Sequence, residues 1–240
     1  MNRVFLYNVI GEEGIMAILR KKILYKDWIY EWLIEKKEYI KESTYANYSN
    51  NIFNHIIPKL GDCSLDEINH KILQKFLLDL FKNGKSNENG GLAEKTIKDI
   101  SIILKGSLKK AINEGKMKHI ELTFHYPKSN VEKNIYILTK KEQNKITDYV
   151  IINLSSKNIG LLISLYSGIR IGELCALKWE DIDFKKSLIC INKTMQRIYI
   201  KDKSNNTSKI IITTPKTKKA NREIPINKNF GSTLFSGVKN

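Results

Sequence analysis

The sequence contains no run of 18 or more uncharged apolar residues, which excludes an apolar helix long enough to span a bilayer. Its opening stretch, "MNRVFLYNVIGEEGIMAILRKK", is interrupted by Glu12 and Glu13 before the core of a signal peptide can form. Cysteine is scarce. Cys63, Cys175 and Cys190 are odd in number, far apart and without Cys-x-x-Cys spacing, so neither a disulfide framework nor a zinc site is expected, and a reducing cytoplasm is the natural home. There is no internal repeat of solenoid period and no long low-complexity tract.

Negative charge is in deficit too. Asp and Glu total 25 against 41 Lys and Arg, a formal charge of +16 and a pI near 9.6. Such an excess points to a polyanionic partner, nucleic acid before an anionic membrane surface. What the chain does have is a core: 240 residues, 42% hydrophobic and 9% aromatic, enough for one large or two ordinary globular domains.

Helical periodicity organises the first half. "KDWIYEWLIEKKEYI" sets Trp28 and Trp32 one turn apart, and Tyr45, Tyr48, Ile52, Phe53 and Ile56 follow behind a Ser43 cap, with Pro58 and Gly61 ending that helix. Ser64 and Glu67, at capping-box spacing, open a helix carrying Ile68, Ile72, Phe76 and Leu80 that stops at Gly84. A fourth helix aligns Ile97, Ile100, Leu104, Leu108 and Ala111. The aromatic residues at helical spacing read as core rather than as base-stacking platforms. The polar stretch around "TFHYPKSNVEKN" interrupts the pattern, and Thr139 with Glu142 restarts it. The expected layout is an N-terminal extension over 1–24, for which Met16 is an alternative start, a helical domain over 25–122, a linker over 123–135 and a second domain over 136–240. In that second domain "SLICINKTMQRIYI", "SKIIITT" and "NREIPI" predict one small antiparallel sheet.

Positive charge is spread over both halves. Lys95, Lys98, Lys105 and Lys109 on the fourth helix, and Lys218 and Lys219 near the late hairpin, are candidates for salt-dependent contacts to nucleic-acid phosphates. The same lysines also read as ordinary solvated helix faces.

One arginine stands apart. In "SGIRIGELCALKWEDID" a Ser-Gly turn delivers Arg170 to the start of a helix in which Ile171, Leu174, Cys175 and Leu177 are expected to be buried. A cation there is disfavoured by the helix dipole by a few tenths to about 1 kcal/mol unless an anion is near. Glu173, about one turn on, can hold the guanidinium while leaving donors of its planar fork free for a phosphate. Alternatively the pair only braces two helices. Glu180, Asp181 and Asp183 read as a solvated turn rather than a metal site.

"SGIRIGELCALKWEDID" resembles the first catalytic-arginine motif of the tyrosine recombinase (phage integrase) family. "STYANYSNNIFNHIIPKLGDCSLDEINHKILQKFLLDL" and "GGLAEKTIKDISIILKGSLKKAINEG" resemble the helical core-binding domain of such integrases, and "TTPKTKKANREIPI" resembles the hairpin carrying their catalytic lysine. The resemblance runs from about residue 25 to 226. It implies a mainly α fold with a small antiparallel sheet, in which an all-α, SAM-like core-binding domain precedes an α+β catalytic domain. It also implies cleavage of one DNA strand by a tyrosine, without metal or other cofactor, by a homotetramer on double-stranded DNA, with no membrane partner. Arg170 would match the first active-site arginine, Glu173 its supporting carboxylate and Lys216, favoured over Lys218, the hairpin lysine. Fixed cations would stabilise the phosphorane-like transition state, and the lysine would protonate the leaving oxygen.

The pattern then stops. His55, His70, His119 and His125 all precede Arg170, no His-x-x-Arg follows it, and the only later tyrosine is Tyr199. The tail "FGSTLFSGVKN" shows no helical period. The chain is therefore expected to be a C-terminally incomplete recombinase, inactive alone. A noncatalytic DNA-binding protein competing with an intact recombinase is the alternative, and a basic RNA-binding protein a third.

Overall fold

The computed structural model describes residues 22–85, 90–127, 135–203, 205–215 and 217–226. The expectations for the N-terminal extension, the 227–240 tail and Lys216 lie outside these residues. The chain divides into two compact units, Met1–Val131 with Tyr199–Thr207, and Glu132–Ile198 with Ser208–Asn240.

In the first unit, α1 (Tyr25–Lys36), α2 (Glu42–Asn51), α3 (Ile57–Leu60), α4 (His70–Asn83) and α5 (Glu94–Asn113) enclose one apolar core. Tyr25, Trp28 and Trp32 lie on one face of α1, at the i, i+3, i+7 spacing that stacks side chains. They meet the Gly106-Ser107 step of α5. The Trp28 indole donates to the Ser107 carbonyl at 2.9 Å, and the Tyr25 hydroxyl lies 2.8 Å from that of Ser107. A Cβ at Gly106 would sit 2.8 Å from the Trp32 ring, so the absence of a side chain lets the two helices approach. Ile97, Ile100, Leu104, Leu108 and Ala111 are fully buried, as their spacing predicts.

Three local expectations are corrected. Ser43 is not a cap, because α2 starts at Glu42 behind Lys41. Pro58 does not end the helix: it cannot donate to the preceding turn and its ring crowds it, and the chain widens into a π-helical segment, Ile52–Ile56, before α3 resumes and stops at Gly61. The Ser64–Glu67 pair closes a turn, with the Ser64 N–H donating to the Glu67 carboxylate at 2.9 Å, whereas α4 begins at His70 under the Asn69 side chain.

In the second unit, α6 (Lys140–Ile152) opens on the expected Thr139–Glu142 capping box, and α7 (Ser156–Ser167) and α8 (Ile171–Ala176) come next. The strands are β1 (Ile182–Asp183), β2 (Leu188–Ile191), β3 (Thr194–Lys201), β4 (Asn206–Thr213) and β5 (Arg222–Pro225), with the stretch Tyr199–Thr207 of β3 and β4 counted in the first unit. They form two sheets, not one: β1-β2-β5 and the β3-β4 pair. A strand has two edges, and those of β2 are filled, by β1 with Ile182 opposite Ile189 and by β5 with Ile191 opposite Arg222. Residues 188–200 therefore break at Asn192–Lys193, where the Lys193 ammonium turns to the buried Asp181 carboxylate at 2.9 Å. Asp181 is thus a paired group that also accepts from the Lys178 N–H at 2.8 Å, not part of a solvated turn. Ile159, Ile163, Ile169, Ile182, Ile189, Ile191 and Ile226 make up the small core of this unit.

Candidate active site

Gly168 ends α7 in the left-handed conformation, φ +61°, which glycine adopts without the Cβ penalty. The next residue, Ile169, is buried in the core of the unit, and Arg170 then stands in extended conformation as the residue that caps α8. The turn is thus anchored on both sides of the arginine. One step on, Gly172 faces β3 so closely that a Cβ would lie 2.6 Å from the Thr194 hydroxyl and 3.0 Å from the Met195 carbonyl.

Glu173 sits at the centre. Its side chain is 4% exposed, and its carboxylate accepts the Arg170 backbone N–H and the Arg170 guanidinium, both at 3.1 Å. Two further bonds come from the first residue of β5: Arg222 grips both carboxylate oxygens, at 2.8 and 3.1 Å, and also donates to the Ala220 carbonyl at 3.2 Å. Arg222 above all, then the two donors of Arg170, hold the Glu173 carboxyl well below its usual range, to about 2, against the opposing effect of its burial. The Arg170 side chain, by contrast, is 74% exposed. A pocket of about 390 Å³ is lined by Gly168, Arg170, Thr217, Lys219, Ala220 and Arg222. It presents three cationic side chains, and its only carboxylate neighbour on these arginines, Glu173, lies beneath them among the described residues.

The depressed carboxyl makes a pH prediction. Glu173 has its ordinary value near 4.5 in the unfolded chain and about 2 when folded, so the stabilisation is fully present above about pH 4.5 and is lost as pH falls towards 2. Between pH 6 and 3 the second unit should lose on the order of 2 kcal/mol through this group. Urea unfolding at both pH values checks it, and Glu173→Gln should remove that part of the pH dependence.

The structure brings Arg170, Glu173 and Lys219 together. Lys216 lies outside the described residues, and for Lys218 only the backbone of the short turn Lys218–Ala220 is described. The expected burial around the arginine is corrected: Ile171 is 75% exposed, Cys175 is exposed, and Leu174 and Leu177 are half-buried, while Glu173 and Ala176 take the inward positions of α8. Arg222 is the residue that sequence reasoning missed. A signal existed: only five of the 41 basic residues are arginine, and the planar fork is the chemistry that a bidentate carboxylate contact requires.

In the first unit, Lys95, Lys98, Lys105 and Lys109 fall within an arc of roughly 80° on α5 at 100° per residue. Two of them are already engaged. Lys98 pairs with Glu94 at 2.6 Å, and Lys105 lies over the Phe124 ring at 5.2 Å, whereas Lys95 and Lys109 are exposed. No helix among the described residues is long and apolar enough to cross a membrane, and none of their His, Cys, Asp and Glu side chains group as a metal site.

The helical unit and the α+β unit that follows it have the mainly helical build, with small antiparallel sheets, of known integrase structures. Family models agree: residues 24–81 match the phage integrase N-terminal SAM-like domain, and residues 129–234 match the phage integrase family. The chain belongs to that family, the tyrosine recombinases. It is similar to a tyrosine recombinase XerC-like protein of Caldanaerobacter subterraneus subsp. tengcongensis, with 28% identity over 83% of this chain and 51% of the relative. The ICEBs1 integrase of Bacillus subtilis is 24% identical over 78% of this chain and 47% of its own. Among solved structures, the Tn1549 transposon integrase in complex with a circular intermediate DNA superposes with a TM-score of 0.68 at 19% identity, covering 91% of this chain and 66% of that one. The chain spans about half the length of the curated relatives it matches.

Proposed function

We propose that the chain acts in site-specific DNA recombination of the tyrosine recombinase type, with Arg170 binding the scissile phosphate of double-stranded DNA. The observation that carries this reading is the division of labour at the site: the carboxylate is buried and the guanidinium is exposed at a basic pocket. A group that only braced the fold would have no reason to leave most of its donors in solvent. Glu173 holds Arg170 by one guanidinium nitrogen, so the rest of the fork is free to meet a phosphate oxygen in charge-assisted hydrogen bonds. Lys219 adds positive charge to the same pocket, where developing negative charge on a pentavalent phosphorus would be stabilised. Lys216 is assigned by resemblance to protonation of the leaving oxygen, and the lysine face of α5 to the flanking backbone. No attacking tyrosine is assigned among these 240 residues, since Tyr199 precedes Lys216 in the chain. A homotetramer on DNA, and a mobile genetic element as the setting, belong to the same proposal.

Salt dependence of duplex binding tests it. Each phosphate contact adds about 0.9 to the slope of log affinity against log salt. Arg170→Ala should flatten that slope by about one such contact, and an unchanged slope would remove Arg170 from the DNA. The 240 residues alone should form no covalent adduct with a nicked duplex on a denaturing gel. An adduct at Tyr199 would assign the nucleophile after all.

The competing reading, a noncatalytic DNA-binding protein that occupies recombinase sites, uses the same phosphate contacts.

A further inference from the structure

We infer that Arg222 is a positioning residue whose charge keeps Arg170 available to phosphate. The inference rests on the proposed phosphate-binding role of Arg170 and adds a residue to it. Two guanidinium groups share one carboxylate, so the cluster carries one net positive charge. Its distribution is unequal. Arg222 takes both oxygens of Glu173 in the bidentate geometry that satisfies a carboxylate best, and its side chain is 29% exposed. Arg170 makes a single side-chain bond to the same group and is 74% exposed. Arg222 therefore neutralises Glu173, and the uncompensated charge stays on Arg170, at the pocket. Without Arg222 the carboxylate would have Arg170 as its one remaining cation. The guanidinium would be drawn down into the bidentate position, and the pair facing DNA would be neutral. The position of Arg222 is fixed from outside the cluster, since it is the first residue of β5 and lies opposite Ile191 in the ladder with β2. It reaches the arginine only through Glu173, 49 residues away in sequence.

The test uses the full chain and a mixed-sequence duplex oligonucleotide, with affinity measured over a series of KCl concentrations. Arg222→Gln should flatten the salt slope by about 0.9, the value of one phosphate contact. It should flatten it no further in an Arg170→Ala background, and not at all in a Glu173→Gln background, where no carboxylate is left to capture Arg170. Arg222→Lys keeps the charge and should retain the original slope, which also guards against a folding defect of the glutamine variant. An equal loss in all backgrounds would make Arg222 a direct phosphate ligand and overturn the inference, as would no loss in the parent chain or a loss in Arg222→Lys. A second readout needs no DNA: side-chain nitrogen relaxation of Arg170 should report a more ordered guanidinium in Arg222→Gln than in the parent, and unchanged order would also overturn it. An Arg170→Ala variant with an unaltered slope would instead strike the phosphate reading, while the relaxation measurement would still decide the positioning role.

Discussion

Replacing Trp28 with alanine is expected to destabilise the helical unit by about 4 kcal/mol, within the range for removing a large aromatic side chain from a core. Trp28 is 2% exposed, between α1 and α5, and makes three kinds of contact at once. Its ring is part of the buried core, its indole N–H satisfies the Ser107 carbonyl at 2.9 Å, and the Lys116 ammonium lies 4.3 Å from its ring centroid. The alanine variant loses the buried area and leaves a cavity in a core that closes over it only by giving up contacts elsewhere. Trp28→Phe separates the terms. It keeps most of the apolar volume and leaves the carbonyl without its indole partner, at an expected cost of about 1 to 2 kcal/mol. Urea unfolding with far-UV circular dichroism as the signal reads both, and equal losses would contradict the packing account.

The tryptophans were legible because helical periodicity is a local property: i, i+3 and i, i+4 spacing on α1 and α5 places the apolar faces whatever else the chain does. Cap chemistry is local too, and there it misleads. The Ser64–Glu67 pair makes the bond that a capping box would make, yet it closes a turn rather than opening a helix, because Leu65 and Ile68 are both drawn into the core before α4 can start. Thr139 and Glu142, with no such competing burial beside them, cap a helix as their spacing predicts. The division into two sheets is not a local property. Which edges of β2 are occupied depends on β5, more than thirty residues away, and no β-branched run announces its partner.

At the site, the sequence made Arg170 and Glu173 legible as a pair, since three residues on a helix bring them together. It did not make legible which of them is exposed, and so left open whether the pair binds a phosphate or braces the fold. That choice depends on Arg222, which arrives from a strand. The burial of Glu173 also explains why Ile171 faces outward: on so short a helix, turning the carboxylate inward to meet Arg222 turns the opposite side chains to solvent.

Glu173→Ala is therefore expected to be among the most damaging single changes in the second unit, with a loss of about 3 to 5 kcal/mol, as for one partner removed from a buried ion pair. The variant strips Arg222 of both carboxylate bonds and the Arg170 N–H of its acceptor, in a unit whose core is a handful of isoleucines and has little stability to spare. Arg170→Ala should behave differently. Its side chain is mostly in solvent, Arg222 still neutralises the carboxylate, and the loss should stay below about 1 kcal/mol. The contrast decides the question that the spacing left open. Were both variants equally destabilising in urea titrations of the full chain, Arg170 would be a brace and its exposure incidental; a stable Arg170→Ala protein that binds DNA with a flattened salt dependence would place the fold's demand on Glu173 and Arg222 and leave Arg170 to the phosphate.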